Sequence, residues 1–332
     1  MADIIATGCG ANFTVPNGFS LSVTAFEQFL ASNSKIVAAI DTLGSQCANP
    51  VVEVAKLEQQ CERIEKMITE STMNKKIVNE IQEHLSKAFG SDFENVLLAV
   101  RSSAVGEDSA DASGAGQMST FLGVKGFDDV IDKIKQCWVS HFSFRAVQYR
   151  RQLCANMDNK MSVVVQELVK AQVAGVLFTR HPDNGSINHA IINASYGLGE
   201  SVVSGEVLPD SISVYDDGKE KVRIVYDFIG EKATAYRVDD EQGLIEETKR
   251  VNSPQCCMSD REIETLYKIG KDIEEIFGSP RDVEFAITDG KFYILQARPI
   301  TTMDNEEDWE LLQEFDTPLA SNQEWITTAN VQ

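Results

Sequence analysis

Arg101 stands at the end of a continuous apolar run, Val96–Val100, and is followed by Ser102 and Ser103. An arginine held at a strand end presents a planar fork of donors that suits phosphate oxygens, and it suits a core carboxylate equally well. Downstream lies Gly114-Ala115-Gly116-Gln117-Met118-Ser119-Thr120. Small residues such as Gly116 let backbone N–H groups come close to an anion, and the Thr120 hydroxyl adds a donor. A plain surface loop has the same composition. Much later come Asp282-Val283-Glu284-Phe285 and Leu295-Gln296-Ala297-Arg298-Pro299, where Glu284 and Gln296 interrupt otherwise apolar strands. A carboxylate and an amide oxygen are hard ligands of the kind Mg2+ takes beside substrate phosphates. Arg298, two residues beyond Gln296, shares its face and reaches the same phosphates. The competing reading makes these residues the wet side of an edge strand.

Other motifs are less telling. Tyr196-Gly197-Leu198-Gly199-Glu200-Ser201 lacks the third glycine of a dinucleotide fingerprint and reads as a tight turn after a strand. His84 and His141 fall on expected helices, and none of the four histidines has the setting of a phosphorylated carrier.

These residues need elements to hold them. Val15-Pro16-Asn17-Gly18-Phe19 is a turn signal, followed by a helical pattern through Phe26, Phe29 and Leu30. Val54, Leu57, Cys61, Ile64 and Ile68 mark one amphipathic helix; Ile77, Ile81, Leu85 and Phe89 mark a second, stopped by Gly90. Residues 102–120 have no periodicity and read as a long functional loop. A helix is expected from about Asp128 to Arg151. Strands follow at Met161–Leu168, Ala174–Thr179, Ala190–Ser195, Ser211–Tyr215 and Val222–Phe228. Ser259 and Glu262 form a capping box for a helix running to Phe277, with Gly278 as its stop.

Segment 282–298 reads as a hairpin turning at Asp289-Gly290. A two-residue loop would set Glu284 opposite Leu295 and send Gln296 to the other face, so that both could not bind one ion. A three-residue loop, Thr288-Asp289-Gly290, sets Glu284 opposite Ile294 instead. It puts Glu284, Gln296 and Arg298 on one face, with Val283, Phe285, Leu295 and Ala297 on the other, and it is the expected register. The fold class is α+β with mainly antiparallel strands.

The net charge of −21 over 332 residues disfavours nucleic acid and anionic membranes as partners, so an anionic ligand needs a local cluster of donors. No run approaches the roughly 18 apolar residues of a membrane span, and the first residues lack a basic stretch leading into an apolar one. The seven cysteines include no C-x-x-C, so inert thiols in a reducing cytoplasmic setting are expected, with neither structural zinc nor a disulfide framework.

Several blocks, in order and at compatible spacing over roughly residues 96–303, resemble the nucleotide-binding domain shared by phosphoenolpyruvate synthase, pyruvate phosphate dikinase and rifampin phosphotransferase. They are Val100 through Ser109, Gly116 through Leu122, Val165 through Val169, Gly175 through Pro182, Gly197 through Gly205, and Glu284 through Arg298. The resemblance implies an ATP-grasp fold whose two subdomains enclose ATP, over residues 1–303, with 1–100 the N-terminal part and 101–303 the motif-bearing part. It implies ATP and Mg2+ as cofactors: Arg101, Gly116, Thr120 and Arg298 at the phosphates, Gln166 lining the nucleotide pocket, and Glu284 with Gln296 on the metal. Arg101 and Arg298 would be the catalytic cations. Glu314 through Pro318 and Trp325 through Val331 resemble an interdomain segment of the synthase or rifampin branch, so 304–332 is expected to be an acidic linker, a C-terminal interdomain tail.

Two departures qualify the resemblance. The family's early G-G-K-G-A-N corresponds here to Thr7-Gly8-Cys9-Gly10-Ala11-Asn12, with Cys9 in place of the phosphate-contacting lysine. Family members also carry a swivelling phosphohistidine domain and an acceptor domain, which this sequence is expected to lack. The implied function is the Mg–ATP-binding, phosphoryl-donor half of a dikinase-type phosphotransferase. The alternative is a catalytically incomplete nucleotide-binding module.

Overall fold

The computed structural model describes residues 13–49, 51–104, 108–109, 112–113, 119–152, 160–216, 218, 222–232, 234–238, 245–249 and 255–300. Cys9, Gly116 and the segment 304–332 lie outside the described residues. The strands are β1 (Phe13–Thr14), β2 (Gly18–Leu21), β3 (Leu98–Ala104), β4 (Asp108–Ser109), β5 (Ala112–Ser113), β6 (Thr120–Val124), β7 (Met161–Glu167), β8 (Val173–Phe178), β9 (His189–Tyr196), β10 (Asp210–Tyr215), β11 (Arg223–Phe228), β12 (Thr234–Val238), β13 (Ile245–Lys249), β14 (Arg281–Thr288) and β15 (Lys291–Pro299). The helices are α1 (Val23–Ala31), α2 (Ser34–Cys47), α3 (Val54–Glu70), α4 (Lys75–Phe89), α5 (Phe127–Ser140), α6 (Phe144–Gln152), α7 (Glu200–Val203) and α8 (Asp260–Phe277).

The expected α+β class is the observed one, in two sheet-based subdomains. A four-stranded sheet, β2-β7-β3-β6, is covered on one face by helices. Val100, Val163 and Val165 turn into that core, whose centre is Trp138 packed 5.1 Å from Phe26 and 5.0 Å from Phe29 between ring centroids. A seven-stranded sheet, β1-β15-β14-β8-β9-β10-β11, forms the second subdomain. Its Val283, Phe285 and Ile287 meet Ile263, Leu266 and Ile273 of α8. The α8 capping box is present, and Gly278 ends the helix in the left-handed conformation.

A third, smaller core joins the two sheets. Leu97, Ala99 and Leu122 of the first subdomain meet Ala174, Ala286, Tyr293 and Leu295 of the second. Each sheet therefore turns one face to its own helices and the other toward its partner.

Three expectations need correction. The helix foreseen over 128–151 is two helices, broken at His141–Ser143; the Ser143 hydroxyl accepts from the Ala146 N–H, and the Arg150 guanidinium donates to the His141 carbonyl. Helix α2 and the β12–β13 hairpin were not foreseen, although Ile36, Ala39, Ile40 and Leu43 carry helical spacing. The third correction concerns the β14–β15 turn. It is a two-residue turn, Asp289-Gly290, pairing Thr288 with Lys291. Both turn residues have positive φ, 50° and 72°, as a hairpin turn matching the strand twist requires.

Gly175, which opens the β8 motif block, has a steric explanation. A Cβ there would lie 2.0 Å from the Asn193 carbonyl oxygen on β9. Gly175→Ala is expected to lower stability by about 1–3 kcal/mol, because backbone of a central strand pair must move apart. Equilibrium denaturation measures this; an unchanged midpoint would show that the strands part freely.

Candidate active site

Arg101 lies within β3, which runs on to Ala104, and not at a strand end as expected; it is directly paired with Thr120 on β6. Gln166 on β7 pairs with Ala99, so it shares their face by strand alternation. That face carries Leu97 and Ala99 into the core between the sheets. Arg101 and Thr120 therefore point toward the second subdomain for the same reason that Val100 is buried under the helices. Gln166 is buried, and its amide nitrogen donates to the Pro16 carbonyl at 3.3 Å.

On the other side, β14 lies between β8 and β15, so Glu284 is not on an edge strand; β15 is flanked by β1 at Phe292 and Tyr293. Pairing runs regularly from the turn to Phe285 opposite Ile294, and then Glu284 pairs with Gln296. Leu295 is an extra residue, a bulge. It follows that Glu284 and Gln296 share a face, which the three-residue loop was expected to achieve. The odd residue sits in the strand instead of the turn. Leu295 accordingly lies in the core between the sheets, on the Glu284 side, and not on the opposite side as expected. Beyond the bulge, Ala297 pairs with Val283, and Arg298 with Asp282.

Across the gap, Arg101 Nη1 donates to Glu284 Oε2 at 2.9 Å, with the two side chains 19% and 21% exposed. Arg298 Nε and Nη2 both lie 2.7 Å from Asp282 Oδ2. Each cation of the site is thus held by a carboxylate on β14. Arg101 Nε is buried without a hydrogen-bond partner among the described residues. A buried guanidinium N–H is costly to leave unpaired, so this atom suits an incoming acceptor such as a phosphate oxygen. Glu284 and Gln296 supply the hard oxygens that Mg2+ prefers. The residues present fit a cation–polyphosphate ligand.

Glu200 was missed. It opens α7 directly after the Gly197-Leu198-Gly199 turn and lies within electrostatic reach of Arg101 and Glu284. Gly197 has φ of 82°, and the Leu198 N–H donates to the Tyr236 carbonyl of β12 at 3.0 Å, which anchors the turn. Burial is the largest influence on the Glu200 carboxyl and raises its pKa; Arg101 lowers it, and Glu284 and Glu206 raise it further. An acidic residue after a glycine turn at a helix start was the available signal.

The raised pKa has a definite sign in stability. Glu200 holds its proton more firmly folded than unfolded, so its favourable contribution is present at low pH and is lost as pH rises through the folded pKa. Glu200→Gln is expected to raise the melting temperature of the nucleotide-free chain at pH 7.5 and to leave it unchanged near pH 4. Paired thermal melts measure this; an equal shift at both pH values would assign the effect to packing.

Residues 2–317 match the family "Pyruvate phosphate dikinase, AMP/ATP-binding domain". A probable phosphoenolpyruvate synthase of Methanothermobacter thermautotrophicus is 36% identical over 313 residues, covering 90% of this chain and 44% of the relative. One from Archaeoglobus fulgidus is 39% identical over 301 residues, covering 90% and 39%. The rifampicin phosphotransferase of Bacillus subtilis is 34% identical over 316 residues, covering 93% and 33%. The chain spans less than half the length of these relatives. Among solved structures, a D-alanine–D-alanine ligase from Bacillus anthracis aligns over 71% of this chain and 55% of its own, at 11% identity and a TM-score of 0.29, a likeness too low to carry an argument. The sequence match extends over nearly the whole chain and includes every block that places Arg101, Glu200, Glu284, Gln296 and Arg298, so this chain belongs to the pyruvate phosphate dikinase AMP/ATP-binding domain family.

Proposed function

We propose that the chain binds Mg–ATP between its two sheets and serves as the phosphoryl-donor half of a dikinase-type phosphotransferase. The observation that carries this reading is the convergence of Arg101 with Glu284, joined at 2.9 Å although they are 183 residues apart, beside Gln296 on the same face. Glu284 and Gln296 would hold the cation, and Arg101, Arg298 and Thr120 would meet phosphate oxygens. Gly116 is assigned to the phosphates by resemblance alone. The cation, when bound, supplies neutralisation of phosphate charge.

Arg101 and Glu284 satisfy each other in the ligand-free chain, so neither charge is left bare between the sheets. Arg101 would exchange a carboxylate for phosphate, and Glu284 would exchange a guanidinium for a metal ion. Both remain charge-paired before and after, so little desolvation cost is added on binding. Asp282 fixes the Arg298 guanidinium in orientation, which spares ordering entropy when an oxygen anion arrives.

The relatives' names differ on the acceptor side, phosphoenolpyruvate synthase in two and rifampicin phosphotransferase in the third, while the matched region is common to all. The reading therefore commits to the donor side. The phosphohistidine and acceptor steps would fall to other domains. A non-catalytic nucleotide-binding module has one sequence observation in its favour, Cys9 where the family has lysine.

Calorimetric titration of the chain with Mg–ATP tests the proposal. Removing one charge-assisted contact costs roughly 1.5–3 kcal/mol, about 10- to 150-fold in affinity. Glu284→Gln and Arg101→Gln are each expected to weaken binding by that order, with folded spectra retained. Wild-type affinity in both variants would remove the site from between the sheets.

A further inference from the structure

Three strands across the seven-stranded sheet from Glu284, and on its opposite face, a second polar cluster is buried beside α8. Asp210 opens β10 with its side chain fully buried, paired to the equally buried Lys232 at 2.5 Å. Asp210 Oδ1 also accepts the Gly230 N–H at 2.9 Å, and Oδ2 accepts the Cys257 N–H at 2.7 Å. Next to this carboxylate are the adjacent thiols of Cys256 and Cys257, both partly solvent-accessible. The Cys256 sulfur, the Cys257 sulfur and a carboxylate oxygen of Asp210 all lie within 4.8 Å of one another.

We propose that Cys256, Cys257 and Asp210 form a binding site for a thiophilic divalent cation of the zinc type. Thiolates select such ions, and two thiolates with one carboxylate leave a fourth tetrahedral position for water. Zn–S bonds of about 2.3 Å place tetrahedral ligands about 3.8 Å apart. The three donors therefore need to close by only about 1 Å.

In the ligand-free cluster Asp210 is paired with Lys232, and the two sulfurs lie beside its carboxylate. A divalent ion binds with release of two protons to solvent and no change of oxidation state: two S–H bonds break and two S–metal bonds form. Lys232 stays beside Asp210 as an outer partner, as ligating carboxylates commonly require. A carboxylate offers about four lone-pair directions, and Gly230, Lys232 and Cys257 use three.

Another thiol pair lacks these features. Cys47 and Cys61 are near each other, but the Arg150 guanidinium lies close to both and repels a cation. The Asp210 site was hidden in the sequence because its cysteines are adjacent instead of spaced, and its carboxylate lies 46 residues before Cys256.

The site is independent of the nucleotide reading and is tested on the full chain under a phosphine reductant, which keeps the thiols reduced. Titration with Cd2+ reports thiolate ligation through its charge-transfer absorbance, and competition then gives the Zn2+ affinity. One equivalent is expected to saturate the band, with affinity rising with pH as two protons leave. Cys256→Ser and Cys257→Ser should each lose at least about 100-fold, more than the roughly 10- to 100-fold that loss of an outer partner costs. Cys47→Ser should change nothing. Absence of a saturable band would overturn the site, as would an unchanged Cd2+ affinity in either folded serine variant or a band that disappears in Cys47→Ser.

Discussion

The contact between Arg101 and Glu284 joins two sheets that otherwise meet through a small apolar core. Leu97, Ala99, Ala174 and Ala286 belong to that core and bring the sheets together. Beside it the guanidinium and the carboxylate meet at 2.9 Å, both about four-fifths buried. Either charge alone would cost several kcal/mol in such a position. The pair makes these buried positions tenable in the absence of ligand, and it collects in one place the two kinds of group that a metal–polyphosphate needs. The interaction that stabilises the ligand-free chain is therefore also the one that a ligand must exchange.

That contact depends on strand register. Without the bulge, a two-residue turn would set Leu295 opposite Glu284 and send Gln296 into the core beneath α8. The extra residue lets Leu295 bury between the sheets beside Tyr293 and returns Gln296 to the Glu284 side. The location of the hairpin was legible from Asp289-Gly290 and the flanking apolar runs. The register was not, because the bulge depends on where Leu295 finds apolar contacts on a different sheet, and no local signal carries that.

Much else followed the same division. The Ser259–Glu262 cap, the Gly278 stop and the apolar spacing of α3 and α4 are local, and the structure contains them as read. Arg101 was read with two possible partners, a phosphate or a core carboxylate. The structure supplies the carboxylate, and it is Glu284, the residue read as a metal ligand. Glu200 and Asp210 escaped because their neighbours come from other strands. Glu200 sits on a turn held by Tyr236 of β12, in a hairpin that was not foreseen. Asp210 fastens Gly230, Lys232 and Cys257, which flank that same hairpin in sequence.

A structure of the chain with Mg2+ and a non-hydrolysable ATP analogue tests the central claim most directly. The ion is expected on Glu284 and Gln296 at about 2.1 Å, with the Arg101 guanidinium moved from Glu284 onto a phosphate oxygen. A nucleotide bound elsewhere, with the Arg101–Glu284 contact intact and the ion on other residues, would contradict it.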